Sequence, residues 1–393
     1  MAKVAVAADL HFGRGDERGI AQYRRSFEEM ITGMVSRNIN LAVFAGDIFD
    51  RYHTFNADSF TIFASGINRL IAAGAHVAVL SGGHDYRNDG ANAVRALRPV
   101  AGMDCFIEPA MMPYNDIGVF LVAVPWITRA AIKANPENYR LNAEQVAEKT
   151  FTDIVAPFLA DAKAAVDNAR SLGMLTVMSF HATLIGGELG NEAYITPTDF
   201  TIDPAAMVAT GVDHIAGGHF HRRQDVRGAW YVGSMERNTY GEAGNPTGWM
   251  LIEDQGRTFV ELESSASFQT VKVEVGQSVE DQKFSGNVRV VVKLDHKTSV
   301  DLVAMKEGIE KGGADSVKIV TEYVDAAEMV RSKDIRSDYS ESDLFAAWRE
   351  ASGKDGDGRL QRLYDFESLQ GFVAVPDREY FDSAAAAMMA ITE

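Results

Sequence analysis

The chain has 393 residues and 46% hydrophobic content, enough for two or three domains with a sizeable core. Its 55 Asp and Glu against 38 Lys and Arg give a formal net charge of −17, which excludes a uniformly basic surface, so any grip on nucleic acid has to come from a local patch. A single cysteine, Cys105, allows no intramolecular disulfide and points to a reducing cytoplasm; no apolar run reaches the ~18 residues of a membrane span, and neither secretion nor insertion is expected.

Short runs rich in Val, Ile and Phe predict buried strands at Lys3–Ala8, Leu41–Ala45, His76–Leu80, Val119–Ala123, Leu175–Phe180 and His214–Ala216. Helices are expected between them, which makes the class α/β. Ile20 to Arg37 places Ile20, Tyr23, Phe27, Met30, Ile31 and Met34 on one face of an amphipathic crossover helix. Phe55 to Ala73 reads similarly, as does Ala143 to Leu172, where Pro157 should break or restart the helix. From Gln269 to Val324 the pattern is strand, strand, helix (around Val300 to Lys311), strand: a small α/β unit with one solvated sheet face. The tail predicts a helix over Ser340–Ala351 with Leu344, Phe345 and Trp348 on one face, then a turn-rich linker at 354–359 and further helices at Arg359–Leu369 and Arg378–Ile391. Asp355 and Asp357 lack the rest of a calcium loop, and no calcium site is expected there.

Five strands end in metal-ligand side chains: Asp9-Leu10-His11, Gly46-Asp47-Ile48-Phe49-Asp50, Gly82-Gly83-His84-Asp85, Phe180-His181 and Gly218-His219-Phe220-His221. Carboxyl ends of strands are where open α/β sheets bind their ligands. Aspartate and imidazole suit Mn, Fe or Zn and argue against a Mg-only site; two such ions about 3.5–4 Å apart both activate a water and stabilise charge on a phosphoryl group. One such motif alone is more often a turn or a core histidine. Five in order on strand ends, with Gly46, Gly82, Gly83, Gly217 and Gly218 letting the backbone turn sharply behind them, describe a two-metal phosphoesterase.

The order D-x-H, G-D-[IL]-F-D, G-N-H-D, H and G-H-x-H resembles the calcineurin-like metallophosphoesterases. Arg222 and Gln224, Tyr231-Val232-Gly233-Ser234, Tyr240-Gly241-Glu242 and Gly248-Trp249 narrow the resemblance to SbcD-type DNA double-strand-break repair nucleases, over Met1 to about Glu263. That resemblance implies a metallophosphoesterase β-sandwich flanked by helices over residues 1–265. It also implies a small α/β capping domain over 266–330 and a helical tail over 331–393 that binds an ATPase partner. It implies two divalent ions, most simply Mn2+. Asp9, His11 and His221 hold the first, Asp47 bridges, and His181 and His219 hold the second. His84 takes the catalytic role and Asp85 orients it. DNA, an SbcC-like SMC-type ATPase and a second copy of the chain, joined through helices near the second and third motifs, are the implied partners. Arg14, Arg222 and Arg223 are candidates for DNA-phosphate contacts, with Arg18 and Arg227 behind them.

One position departs from the pattern. Gly83 stands where the family has a metal-ligating asparagine, so the second site is expected to bind its ion more weakly; Asn88 nearby reads as a turn residue. Three explanations stay open: a nuclease with a looser second ion, a non-catalytic DNA-bridging subunit, or an engineered substitution. A small-molecule phosphodiesterase of the same superfamily is the other alternative.

Overall fold

Along β1 (Lys3–Ala7), Ala5 and Ala7 pack toward helices while Val4 and Val6 pack toward a second sheet. Period-two alternation with both faces covered explains why these strands read as unbroken apolar runs. The computed structural model describes residues 2–14, 17–50, 57–86, 91–97, 102–128, 132, 136–138, 140–188, 200–274, 277, 282–294 and 300–323. Asn88 and the tail over 331–393, with its expected helices and ATPase-binding role, lie outside them. The chain forms two compact units, Met1–Val292 with Asp301–Val320 and Lys293–Val300 with Thr321–Glu393, and the architecture below is that of the first.

The first sheet contains β1, β2 (Leu41–Ala45), β3 (His76–Leu80) and β4 (Met103–Phe106), all parallel, and is extended on the other side of β1 by β13 (Gly248–Glu253) and β14 (Gly256–Glu261), both antiparallel to their neighbours. The second sheet runs β11 (Gln224–Val226), β12 (Ala229–Tyr231), β10 (His214–Gly218), β7 (Leu175–His181), β6 (Val119–Val124) and β5 (Ala110–Tyr114). Val4, Leu41, Leu121 and Val177 belong to the core between the two sheets. Helices α1 (Glu17–Ser36), α2 (Ala57–Ala72) and α3 (Ala93–Leu97) cover the first sheet's outer face. The apolar stripe expected of α1 is the one it buries, with Phe27, Met30, Ile31 and Met34 fully enclosed.

Over the second sheet lie α4 (Ala143–Thr150), α5 (Ala156–Ser171) and the short α6 (Pro204–Val208). Asn142 caps α4 through a reciprocal pair with Gln145. The break expected at Pro157 takes the form of a π turn over Phe151–Val155, in which the Ala156 N–H donates to the Phe151 carbonyl. Proline lacks the donor its position calls for and crowds the preceding turn, and a widened turn just upstream relieves that crowding while the chain stays helical. A two-residue pair, β8 (Thr183–Leu184) with β9 (Thr201–Ile202), lies after β7. Beyond the sandwich, β15 (Phe268–Val273), β16 (Asn287–Leu294) and β17 (Ser316–Tyr323) form a separate three-stranded sheet with α7 (Leu302–Lys311), in the strand, strand, helix, strand order read from the sequence.

Candidate metal centre

The loops after β1 and β2 run side by side. Asp9 N–H donates to the Gly46 carbonyl (3.1 Å), His11 N–H to Asp47 (2.9 Å) and Phe12 N–H to Ile48 (2.9 Å), continuing the sheet's ladder past its strands. The ladder holds Asp9, His11 and Asp47 in left-handed backbone conformations, with φ of 53°, 47° and 50°, and His219 on the other sheet has φ of 114°. Such a conformation costs a non-glycine residue about 1–2 kcal/mol, and it turns the side chain off the strand toward the opposing sheet. Gly46, at φ 89°, lies so close beneath the His181 ring that a Cβ there would collide with it.

The opposing ligands come from the second sheet. His181 ends β7, and His219 and His221 follow β10. Among the described residues the donors gather in groups, Asp9 with His11 and His221, Asp9 with Asp47 and His181, and His11 with Asp50 and His84, the donor atoms of each group within 4.8 Å of one another, while His219 falls in none of them. His11 Nε2 and His221 Nε2 face each other at 2.9 Å, His181 Nε2 is 3.3 Å from Asp47 Oδ2, and His219 N–H donates to both oxygens of Asp9 at 3.1 Å. Thr183 Oγ1 lies 3.0 Å from His219 Nε2, which leaves Nδ1 as the nitrogen available to an ion. Asp9, Asp47, His11 and His181 are at most 2% exposed.

These residues fit divalent ions. His11 Nδ1, 3.6 Å from Asp50 Oδ1, is buried without a hydrogen bond, a costly arrangement in a dry interior, while His181 Nε2 faces the Asp47 carboxylate. Two imidazole nitrogens facing each other can share one proton at most, whereas a dication uses both lone pairs. Outer partners fix the ring orientations. His181 Nδ1 meets the Ala45 carbonyl at 2.7 Å, and His221 Nδ1 meets the buried carboxylate of Glu242 at 3.4 Å. Replacing Glu242 with Gln should weaken the affinity of the His221-bearing site for Mn2+ about 10–100-fold by calorimetry; an unchanged affinity would remove Glu242 from that role.

Electrostatics favours the same protonation pattern. Burial raises Asp9, and burial with the His221 charge holds His11 well below its ordinary value. Burial and His181 push His219 down to about 3. Burial also opposes ionisation of Asp47, yet the charges of His181 and His84 outweigh it and hold that carboxyl well below its usual range. His181 is the exception: against the desolvation that lowers it, Asp47 and Asp9 push it up to about 9. At pH 7, below that value, metal-free His181 carries a proton that an ion must displace. Mn2+ binding at pH 7 should therefore release about one proton per ion at this site, read by calorimetry in buffers of different ionisation enthalpy; release of none would rule out His181 as a ligand.

His84 and Asp85, adjacent in sequence, leave the backbone in opposite senses. The His84 side chain is exposed; its ring lies edge-on to His11 at 4.9 Å, its Nδ1 is bonded to the Asp50 carbonyl, and its backbone N–H donates to Asp47 Oδ1 at 2.8 Å. Asp85 is fully buried, and its carboxylate accepts the backbone N–H groups of Gly82 (2.8 Å), Phe49 (3.1 Å) and Ile48 (3.4 Å). The ring-orienting role expected of Asp85 thus falls to the Asp50 carbonyl, because Asp85 points inward and braces the two loops that carry Asp47 and His84.

The arginine candidates are already engaged. Arg14 pairs with Asp50 at 3.7 Å, Arg222 with Glu188 at 2.6 Å, and Arg227 with Asp203 at 3.1 Å. Arg223 stacks its guanidinium on Phe259 at 4.6 Å, with Nε buried and unpartnered. The Arg18 side chain lies outside the described residues. Asp50, Thr183, Glu242 and Trp126 had no role assigned from the sequence, although Asp50 closes the Gly-Asp-Ile-Phe-Asp motif and Glu242 the Tyr-Gly-Glu motif.

No curated protein matches the chain. Among solved structures, a dimetal phosphatase from Danio rerio is 14% identical, with 66% of this chain and 97% of that one covered and a TM-score of 0.43. The protein TT1561 of Thermus thermophilus is 9% identical over 66% and 98% of the two chains, with a TM-score of 0.32. The family description "Calcineurin-like phosphoesterase" matches residues 2–223, more than half of the 393 residues. That span begins just before β1, ends just after His221 and takes in each of the five ligand motifs. A matched stretch of this extent, over a helix-flanked pair of sheets whose facing strand ends gather aspartates and histidines, makes the chain a member of the calcineurin-like phosphoesterases, which work with divalent metals.

Proposed function

We propose that this chain is a Mn2+-dependent DNA phosphodiesterase, the nuclease subunit of an SbcCD-like repair or recombination complex. It would act in the cytoplasm as a homodimer beside an SMC-type ATPase. The observation that carries the hydrolytic part is one exposed imidazole, His84, beside buried donor groups suited to two ions. The DNA part rests on the residues from Val212 onward that resemble SbcD-type nucleases. The small sheet of β15 to β17 takes the place of the capping domain, with a boundary near residue 266, and the tail over 331–393 that of the ATPase-binding segment.

When bound, the ions supply Lewis acidity and a nucleophile at neutral pH. Asp9, His11, Asp47, His181, His219 and His221 would hold them. His84 has Nδ1 committed to the Asp50 carbonyl, so its proton exchange with the departing sugar oxygen goes through Nε2. The backbone bond from His84 to Asp47 Oδ1 ties the position of that ring to the bridging carboxylate.

Gly83 favours a second reading, a DNA-bridging subunit with an incomplete second site. Labelled duplex and hairpin DNA, cyclic nucleotides and nucleoside monophosphates, each incubated with the chain and Mn2+, separate the readings. DNA cleavage supports the nuclease. Hydrolysis of the small esters alone indicates a small-molecule phosphodiesterase, and DNA binding without hydrolysis of any substrate indicates the bridging subunit.

A further inference from the structure

Nothing in the backbone obliges position 83 to be glycine. Its φ lies outside the left-handed range, and the three heavy atoms nearest to a Cβ there all belong to the Trp126 indole, at 3.5, 3.6 and 3.8 Å, which is ordinary contact. At Gly82, by contrast, a Cβ would land on Asp47. The space a side chain at 83 would enter is therefore lined by the indole of Trp126.

Trp126 follows β6, and its N–H donates to the Ser81 carbonyl at 2.9 Å, pinning it beside the Gly82-Gly83 turn. The indole lies 5.1 Å from the His219 ring, tilted by 41°, and 6.2 Å from the His181 ring, nearly edge-on at 73°; Phe200 backs it at 5.6 Å. The one ring thus touches both imidazoles assigned to the second ion and covers the position from which the family's asparagine would reach it. An aromatic plane packs and orients imidazoles, but it offers no lone pair to a hard cation.

We propose that Trp126 is a positioning residue of the second metal site: it replaces the packing of the absent ligand without replacing its donor, and so makes the two sites unequal. The inference rests on the two-metal reading of the centre and is independent of whether DNA is the substrate. It has a specific corollary. A side chain introduced at 83 points its Cβ at the indole, so an asparagine there reaches the ion only when position 126 yields space.

The test is calorimetric titration of the full chain with Mn2+ for the wild type and the Trp126→Phe, Trp126→Ala, Gly83→Asn and Gly83→Asn/Trp126→Ala variants. Co2+ quenching of tryptophan fluorescence is followed in parallel. The wild type should bind two ions with affinities at least ~10-fold apart, the scale of a lost or misplaced ligand partner. The weaker binding step should quench an emission component that Trp126→Phe lacks. Trp126→Ala should weaken the second ion by a further ~10-fold and leave the first unchanged, Trp126→Phe should retain most of the second affinity, and only the double variant should bring the two sites level. Equal affinities in the wild type, an unaltered second ion in Trp126→Ala, or full recovery by Gly83→Asn alone would overturn the proposal. An intact first ion in each variant reports a folded centre, and its absence in the wild type would instead refute the metal reading itself.

Discussion

Replacing His84 with alanine should leave both ions bound and lower hydrolysis of a DNA phosphodiester about 10²–10⁴-fold, the usual contribution of a positioned general acid or base. The ring is exposed and reaches the centre from its open side, while the bond its residue makes to Asp47 Oδ1 comes from the backbone and survives the substitution. The Asp47 carboxylate therefore keeps its brace when the imidazole is lost. If His84 protonates the leaving oxygen, the defect should shrink with a nitrophenyl ester, whose leaving group departs as a stable anion and needs no proton. Rates on both substrates, together with a Mn2+ titration, check the assignment. Equal defects on the two esters would argue against proton donation, and a lost ion would make His84 a ligand.

Asp85→Ala should destabilise the protein by about 3–5 kcal/mol, because it strips the acceptor from the buried N–H groups of Gly82, Phe49 and Ile48, each costing about 1–3 kcal/mol when left unpaired. Burial, with the nearby Asp47 charge, pushes the Asp85 carboxyl up to about 7 despite these donors, a sign of how dry its surroundings are. Asparagine keeps one acceptor oxygen and should lose roughly half as much. Thermal unfolding in excess chelator isolates this effect from metal binding. A melting temperature within a degree of the wild type would show that water, and not Asp85, satisfies those donors.

The strands and ligand positions were legible because each signal is local. A buried strand reads as a short apolar run, and its last residue falls where the sheet ends, so Asp9, Asp47, His181 and His219 could be placed without knowing how the sheets meet. What escaped was set by tertiary contact. Asp50 holds the His84 ring through its main-chain carbonyl, which leaves no trace in residue type, while its carboxylate faces Arg14 and His11. Thr183 is ordinary in sequence, two residues beyond His181, until the fold brings β10 beside β7 and puts His219 within 3.0 Å of its hydroxyl. Trp126 looked like core, and by packing it is partly that; its contact with two ligand rings is a property of the folded chain. The return of β13 to pair with β1 is also long-range, joining residues about 250 apart, and no local pattern announces it. Asp85 differs: the resemblance implies that it orients His84, but in the turn that carries both residues its carboxylate faces inward onto the N–H groups of Gly82, Phe49 and Ile48, which residue type does not announce.

The donors of the centre are divided between the sheets, with Asp9, His11 and Asp47 on the first and His181, His219 and His221 on the second. Ions held by both sets would act as a reversible cross-link between the two sheets at their facing strand ends. Folding and metal supply are then thermodynamically linked: free metal at ~100 times its dissociation constant adds about 2.7 kcal/mol to stability, and withdrawing it takes that support away at the seam where the substrate would bind. Metal scarcity would thus loosen the scaffold at the same moment as it silences the chemistry.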